Sequence, residues 1–320
     1  MFKVIISDNV YHKIIQAEEK KTAATRSYLY KLLKQQEVKQ LTGAETEYLN
    51  THPQEVVKDP SALYILDITP AQAEDIQKAY GVLCLSGAKP DISPLIDVSD
   101  VFSLNPKECR EKGWDTVLDS IEKLPTNALL LTDRYLFKKK YYKADGFTNI
   151  RDILGELLPQ EFKGGDYHVT IIFNKKKIHD DYNFSYIATQ LNNLKLSLGR
   201  DYPIMMEVLG ITEDCSLHSS LHSRRIVSNS YLVEATHKLA AFNGKDKGTV
   251  SQDIIPWALF TQSSLNGLSS APLDSINQTL TALLDFNTSL NYQFVHSTYS
   301  YALNGKCMEK CLGIRNRLLT

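Results

Sequence analysis

Within LHSSLHSRRIVSNSYLVEA, residues 217–235, an imidazole and a guanidinium stand two residues apart at His222 and Arg224, and the amide of Asn229 follows five residues later. On an extended strand, residues two apart share a face, so His222 and Arg224 project together while Arg225 points the other way. That pair suits a phosphodiester. The guanidinium forks onto phosphate oxygens, and the imidazole attacks phosphorus or shuttles a proton. Asn229 would orient a neighbouring group. The same residues equally fit an edge strand whose histidine and arginines are solvated or paired with acids such as Glu213 and Asp214. His218, four residues before His222, reads as a loop histidine.

Two lysine triplets form a second constellation. Lys138, Lys139 and Lys140 follow the apolar run LLLTDRYLF, and Lys175, Lys176 and Lys177 follow YHVTIIF. If the two runs are parallel strands, both triplets leave the same carboxyl edge of the sheet, where open α/β sheets bind ligands. With Arg134, Tyr141 and Tyr142 they would make a basic, aromatic-bearing footprint for a phosphate backbone. The alternative is a pair of solvated loops balanced by Asp180 and Asp181. Acids at strand ends suggest a different chemistry: Asp8 in VIISDNV and Asp133 in LLLTDRYLF, with Asp67 in YILDIT as a third, resemble the carboxylates that PIN-like ribonucleases gather around magnesium or manganese. Against that, Asp8 also suits a helix cap and Asp133 an ion pair.

The elements that would carry these residues alternate. FKVIIS (2–7) reads as a strand, and LYKLLKQQEVKQL (29–41) has helical spacing. ALYILDIT (62–69), the helix opened by Pro70 and VLCLS (82–86) make a βαβ unit. Further on come a helix over 114–124, NALLLTDRYLF (127–137), a helix over 148–158 with Thr148 as N-cap, YHVTIIF (167–173), a helix over 184–199 ended by Gly199, and PIMMEVLGI (203–211). The pattern predicts an α/β protein with a mostly parallel sheet, helices on both faces, and an antiparallel edge near 221–235 where two strands follow with no room for a helix. Pro256 interrupts the next apolar run. Helices are expected over 273–291 and in the tail KCMEKCLGIRNRLL. The proline-bearing loop GAKPDISPLIDVSD marks a division into an amino-terminal α/β domain, 1–110, and a second domain, 111–320.

The spacing His222-x-Arg224-x4-Asn229 resembles the H-x-K-x4-D motif of the phospholipase D-like superfamily, with Arg224 in place of the lysine and Asn229 in place of the aspartate. The resemblance spans the later half of the chain. It implies an α/β fold, a histidine nucleophile at His222, phosphate held at Arg224, and no cofactor. Competent members bring two motifs together. No other histidine heads a second copy here, so catalysis would require a homodimer. The implied function is binding or cleavage of nucleic-acid phosphodiesters, by analogy in microbial host defence; a non-catalytic module that docks on a partner protein is the reading from another class.

The composition limits the rest. With 36 Lys+Arg against 37 Asp+Glu among 320 residues, no whole-molecule field draws the chain to a polyanion, so a charged partner must meet a local patch. A short apolar amino terminus broken by Asp8, and no apolar run of eighteen residues, lead to the expectation of a cytoplasmic protein without a membrane span. Five cysteines, odd in number, suit reduced thiols; Cys307 and Cys311 sit one helical turn apart but lack a second ligand pair of zinc spacing. Walker loops, GxGxxG after a strand, HExxH and GxSxG are absent from the sequence.

Overall fold

The computed structural model describes residues 2–97, 121, 124–137, 146–178, 182, 184–211, 217, 223–235, 239, 254–288, 298–301 and 314–320. Four parallel strands form a first sheet in the order β2-β1-β3-β4: β1 (Lys3–Ser7), β2 (Val38–Leu41), β3 (Ala62–Leu66) and β4 (Leu83–Ser86). Every residue of β3 is buried, as a strand covered on both faces requires. Helices α1 (Asp8–Glu19), α2 (Tyr28–Gln35), α3 (Gly43–Thr51) and α4 (Pro70–Tyr80) connect the strands. Their starts are written locally. Ser27 caps α2 by accepting from Tyr30 N, and Thr42 with Glu45, and Thr69 with Gln72, form reciprocal capping boxes on α3 and α4. The expected helix over 29–41 stops at Gln35, and Val38–Leu41 becomes strand β2, paired with β1 from Val4↔Val38 to Ser7↔Leu41. Here tertiary pairing overrides both the helical spacing and a local composition of Gln, Glu, Lys and Leu that favours a helix.

A second sheet is mixed, in the order β11-β10-β9-β6-β7-β8-β13, and confirms the α/β class with its antiparallel edge. Its parallel centre is β6 (Ala128–Thr132), β7 (Tyr167–Asn174) and β8 (Ile204–Ile211), joined through helices α5 (Gly146–Leu157) and α6 (Phe184–Ser197). Helix α5 begins at Gly146, so Thr148 lies within its first turn and does not cap it. The chain then crosses to the other side of β6, where β9 (Arg224–Ser228) and β10 (Tyr231–Ala235) form the expected hairpin, and β11 (Ile254–Ala258) closes that side. Pro256 lies inside β11, which as an edge strand tolerates a residue with no N–H to donate. Strand β13 (Thr298–Tyr301) pairs antiparallel with β8. Helices α7 (Gln262–Leu265) and α8 (Pro272–Thr288) follow β12 (Phe260–Thr261), which pairs with β5 (Ile96–Asp97). The expected helix over 114–124 and the domain boundary near 110 fall largely outside the described residues.

The two sheets meet at the amino ends of their strands. Gly81, just before β4, has φ +63°, and a Cβ there would lie 2.0 Å from Thr126 O, so only glycine permits the approach. Its carbonyl accepts from Asn127 Nδ2 at 3.1 Å and from Asn229 Nδ2 at 2.9 Å; Asn229 Oδ1 accepts from Asn127 N at 3.1 Å. Asn127 Nδ2 also reaches Pro60 O, just before β3. One hydrophobic core runs through both sheets, from Phe2 and Leu63 to Leu129–Leu131, Val169 and Leu318. Each such fully buried side chain contributes about 2 kcal/mol of apolar transfer.

Residues 314–320, expected to be helical, instead run as a strap across the mixed sheet that ends in a short 3-10 turn, Arg317–Leu319. Asn316 Nδ2 donates to Leu129 O and Thr170 Oγ1, Arg315 N donates to Glu207 Oε1, and Arg317 N donates to His168 Nδ1. Burial raises the Glu207 carboxyl above its ordinary pKa and lowers that of His168. Among the described residues no helix is long and apolar enough to cross a membrane.

Candidate nucleic-acid interface

Strand β6 is followed by the buried Asp133 and then by the half-buried Arg134 and Tyr135. Because β9 runs antiparallel to β6, with Thr132↔Arg225 in register, its first residue arrives at the carboxyl end of β6. Thr132 Oγ1 donates to Ser223 O at 3.0 Å and accepts from Arg225 N at 3.1 Å, which fixes that arrival. The guanidinium carbons of Arg134 and Arg224 lie 5.7 and 5.6 Å from the centre of the Tyr135 ring. Two cations thus share one aromatic ring at the edge where the strand order reverses, the position at which open α/β sheets hold ligands.

Strand β7 contributes the next wall. Asn174 N donates to Arg134 O, and Asn174 Oδ1 accepts from Lys176 N, turning Lys175–Lys177 into a 3-10 turn beside Arg134. Lys176 is exposed and Lys177 half-buried. Asn174 Nδ2 and Arg134 Nε are screened from solvent and have no hydrogen-bond partner among the described residues. The parallel register of β6 and β7 therefore brings the second lysine triplet to the Arg134 edge. Lys138, Lys139, Lys140 and His222 lie outside the described residues, as do Glu213, Asp214, Cys307 and Cys311.

Asn229 and Asp133 are placed away from the chemistry their positions suggest, while Arg225 points as expected. Asn229 sits in the β9–β10 turn, five residues and about 16 Å along an extended chain from Arg224. Its amide is 4 % exposed and spent on Asn127 and Gly81, so it joins the two sheets and does not reach the Arg224 end. Asp133 faces inward: Oδ1 accepts from Tyr135 N at 2.8 Å and Oδ2 from Leu239 N at 3.0 Å. It shapes the turn that presents Arg134 and does not meet Asp8, which belongs to the other sheet. Arg225, opposite Arg224 as the strand alternation requires, pairs with Glu234 at 2.8 Å and donates to Thr279 Oγ1 on α8.

Asp8 lies at the carboxyl edge of the first sheet, in a pocket of about 320 Å³ shared with Asn9, Thr46, Glu47, Asn50 and Asp67. Asp67 accepts from Asn9 Nδ2, and Asp8 lies 3.2 Å from His12. Glu47 was illegible in the sequence because only the α3 fold-back brings it there. No three acids, histidines or cysteines among the described residues stand close enough together to hold a metal ion. Cys84 is buried, and desolvation pushes its thiol up to about 12, which leaves it inert.

No protein-family model matches the chain, and none of the curated proteins compared with it is a relative.

Proposed function

We propose that the carboxyl edge of β6, β7 and β9 binds the phosphodiester backbone of nucleic acid. The observation that carries this reading is the Arg134–Tyr135–Arg224 cluster: two guanidiniums converge on one half-buried ring at the strand-order reversal. Each guanidinium offers paired donors to phosphate oxygens, and the lysine turn beside Arg134 extends the positive surface. In this reading His222, two residues before Arg224, is the phosphorus-attacking or proton-shuttling group, supplied twice by a homodimer of phospholipase D-like type, with a place in microbial host defence.

Titration of labelled single-stranded RNA and DNA at two salt concentrations tests it. Binding is expected at low salt and weakens steeply as salt rises. His222→Ala is expected to abolish any turnover while leaving affinity within a few fold, because attack at phosphorus belongs to the transition state and backbone attachment to the ground state. Activity is expected to survive EDTA. Absence of binding to either polymer at low salt refutes the proposal and leaves a protein-docking module; activity lost in EDTA and restored by manganese refutes the histidine chemistry and turns attention to Asp8.

A further inference from the structure

A second cationic site lies on the far side of the molecule's sequence, where α2 packs against the turn after α7. A pocket of about 620 Å³ is lined by Arg26, Tyr30, Lys31, Lys34, Gln35 and Asn266, with the small side chains of Ala23 and Ala24 and Gly267 leaving its mouth open. Among the described residues no carboxylate lines it. Tyr30 and Lys34 lie one turn apart on α2, and Arg26, in the extended segment before the Ser27 cap, reaches the same ring from the other side. The Arg26 guanidinium carbon lies 4.9 Å and Lys34 Nζ 5.4 Å from the Tyr30 ring centre. Lys31 Nζ is held by Asn266 Oδ1 at 2.7 Å, and Gln35 Nε2 donates to Leu265 O at 2.9 Å, so the two walls are tied together. The neighbouring acid, Glu18, is already engaged by Ser27 N and Lys21 Nζ.

Arg26 Nε is screened from solvent and has no hydrogen-bond partner among the described residues. A guanidinium donor kept from water without an acceptor is costly unless an acceptor arrives. Three cations facing one cavity repel each other in the same way. We propose that this pocket binds a compact polyphosphate group carrying two to four negative charges, whose oxygens accept from Arg26 and bridge Lys31 and Lys34. Tyr30 is 7 % exposed and its ring already carries two cations, so it offers no face for a base. The phosphoryl groups, and not an attached nucleoside, are what the pocket reads. A cavity of this volume is of ligand size.

The group has two sources, a free nucleoside polyphosphate or the 5′ end of an oligonucleotide, and calorimetry separates them. Inorganic pyrophosphate, ADP and short oligonucleotides with a 5′-triphosphate or a 5′-hydroxyl would each be titrated into the full chain at low salt. Pyrophosphate is expected to bind, and more tightly than sulfate; Arg26→Met and, separately, the exposed Lys34→Met are each expected to weaken it about tenfold, with melting temperatures checking that both variants fold. ADP binding as tightly as pyrophosphate assigns the free ligand; a preference for the 5′-triphosphate over the 5′-hydroxyl oligonucleotide that disappears in Arg26→Met assigns the chain end. The proposal is overturned if pyrophosphate does not bind, if sulfate binds equally well, or if its binding is lost in an Arg134→Met, Arg224→Met double variant but kept in the two pocket variants.

Discussion

The carboxyl edges of the two sheets face the same architectural task with opposite charge. At the first sheet the strand order reverses between β1 and β3, and the residues delivered there include Asp8 and Asp67, joined by Glu47 from α3. At the second it reverses around β6, and the residues delivered are Arg134, Arg224 and the lysine turn after β7. The acid described at that strand end, Asp133, is turned inward onto backbone N–H groups. A chain with a formal net charge of −1 therefore contains two locally polarised edges whose fields the composition averages away. Net charge describes solubility; local topology decides what a polyanion meets.

The contrast depends on the junction holding the sheets together at their amino ends, and the largest expected effect breaks it. Gly81→Val places a branched side chain at positive φ against Thr126 O and is expected to cost about 3 kcal/mol or more, read from denaturant unfolding. An unchanged midpoint would show that the junction can give way. Next in size, Arg134→Ala with Arg224→Ala is expected to weaken single-stranded nucleic-acid binding by about 2 kcal/mol, roughly thirtyfold, and to reduce the salt slope by about two. Asp8→Asn with Asp67→Asn is expected to leave the affinity unchanged or slightly raised. Equal losses in the two pairs would erase the distinction between the edges.

Asp133→Asn sharpens it. The amide can accept at one atom only, so one of the N–H groups of Tyr135 and Leu239 loses its acceptor, at about 1–2 kcal/mol in thermal unfolding. If manganese instead stabilises the wild type and not this variant, the inward-facing role is wrong. The smallest effect is a pH dependence. Burial, followed by the Arg317 charge, lowers the His168 pKa, so the folded state favours the neutral ring that accepts from Arg317 N. The unfolded chain then binds the proton more readily, and stability is expected to fall as pH drops below the ordinary histidine value near 6.5. His168→Gln should flatten that limb of a melting-temperature profile and leave edge binding unchanged.

Much of the fold was legible because its signals are local. Apolar runs of strand length, Pro70 opening α4 and a hairpin too short to contain a helix all survive in the structure. Strand β2 was not legible, since Val38–Leu41 becomes a strand only through pairing with β1. At the site, Arg134 and Arg224 are readable from strand ends and alternation, whereas the role of Tyr135 is not, because nothing in sequence shows two guanidiniums so far apart along the chain converging on one ring; the Thr132–Ser223 hydrogen bond, across 91 residues, is what brings the two strand ends together. Asn229 lies away from Arg224 for a related reason. Motif spacing measures distance along the chain, and a strand turns five residues into the length of the sheet; its actual partners, Asn127 and Gly81, lie 102 and 148 residues away.

The strap over β6 and β7 has a consequence for how the molecule assembles. Asn316 bonds to Leu129 across 187 residues, and Arg315 to Glu207 across 108. These are high-contact-order closures, so their loop entropy is lost before their hydrogen bonds form. Until residues 314–320 dock, the Glu207 carboxyl faces an apolar interior without the N–H that satisfies it in the folded protein. The local contacts of β6, β7 and β8 are therefore expected to form before the polar centre is completed, and variants at Asn316 are expected to change the unfolding rate more than the folding rate.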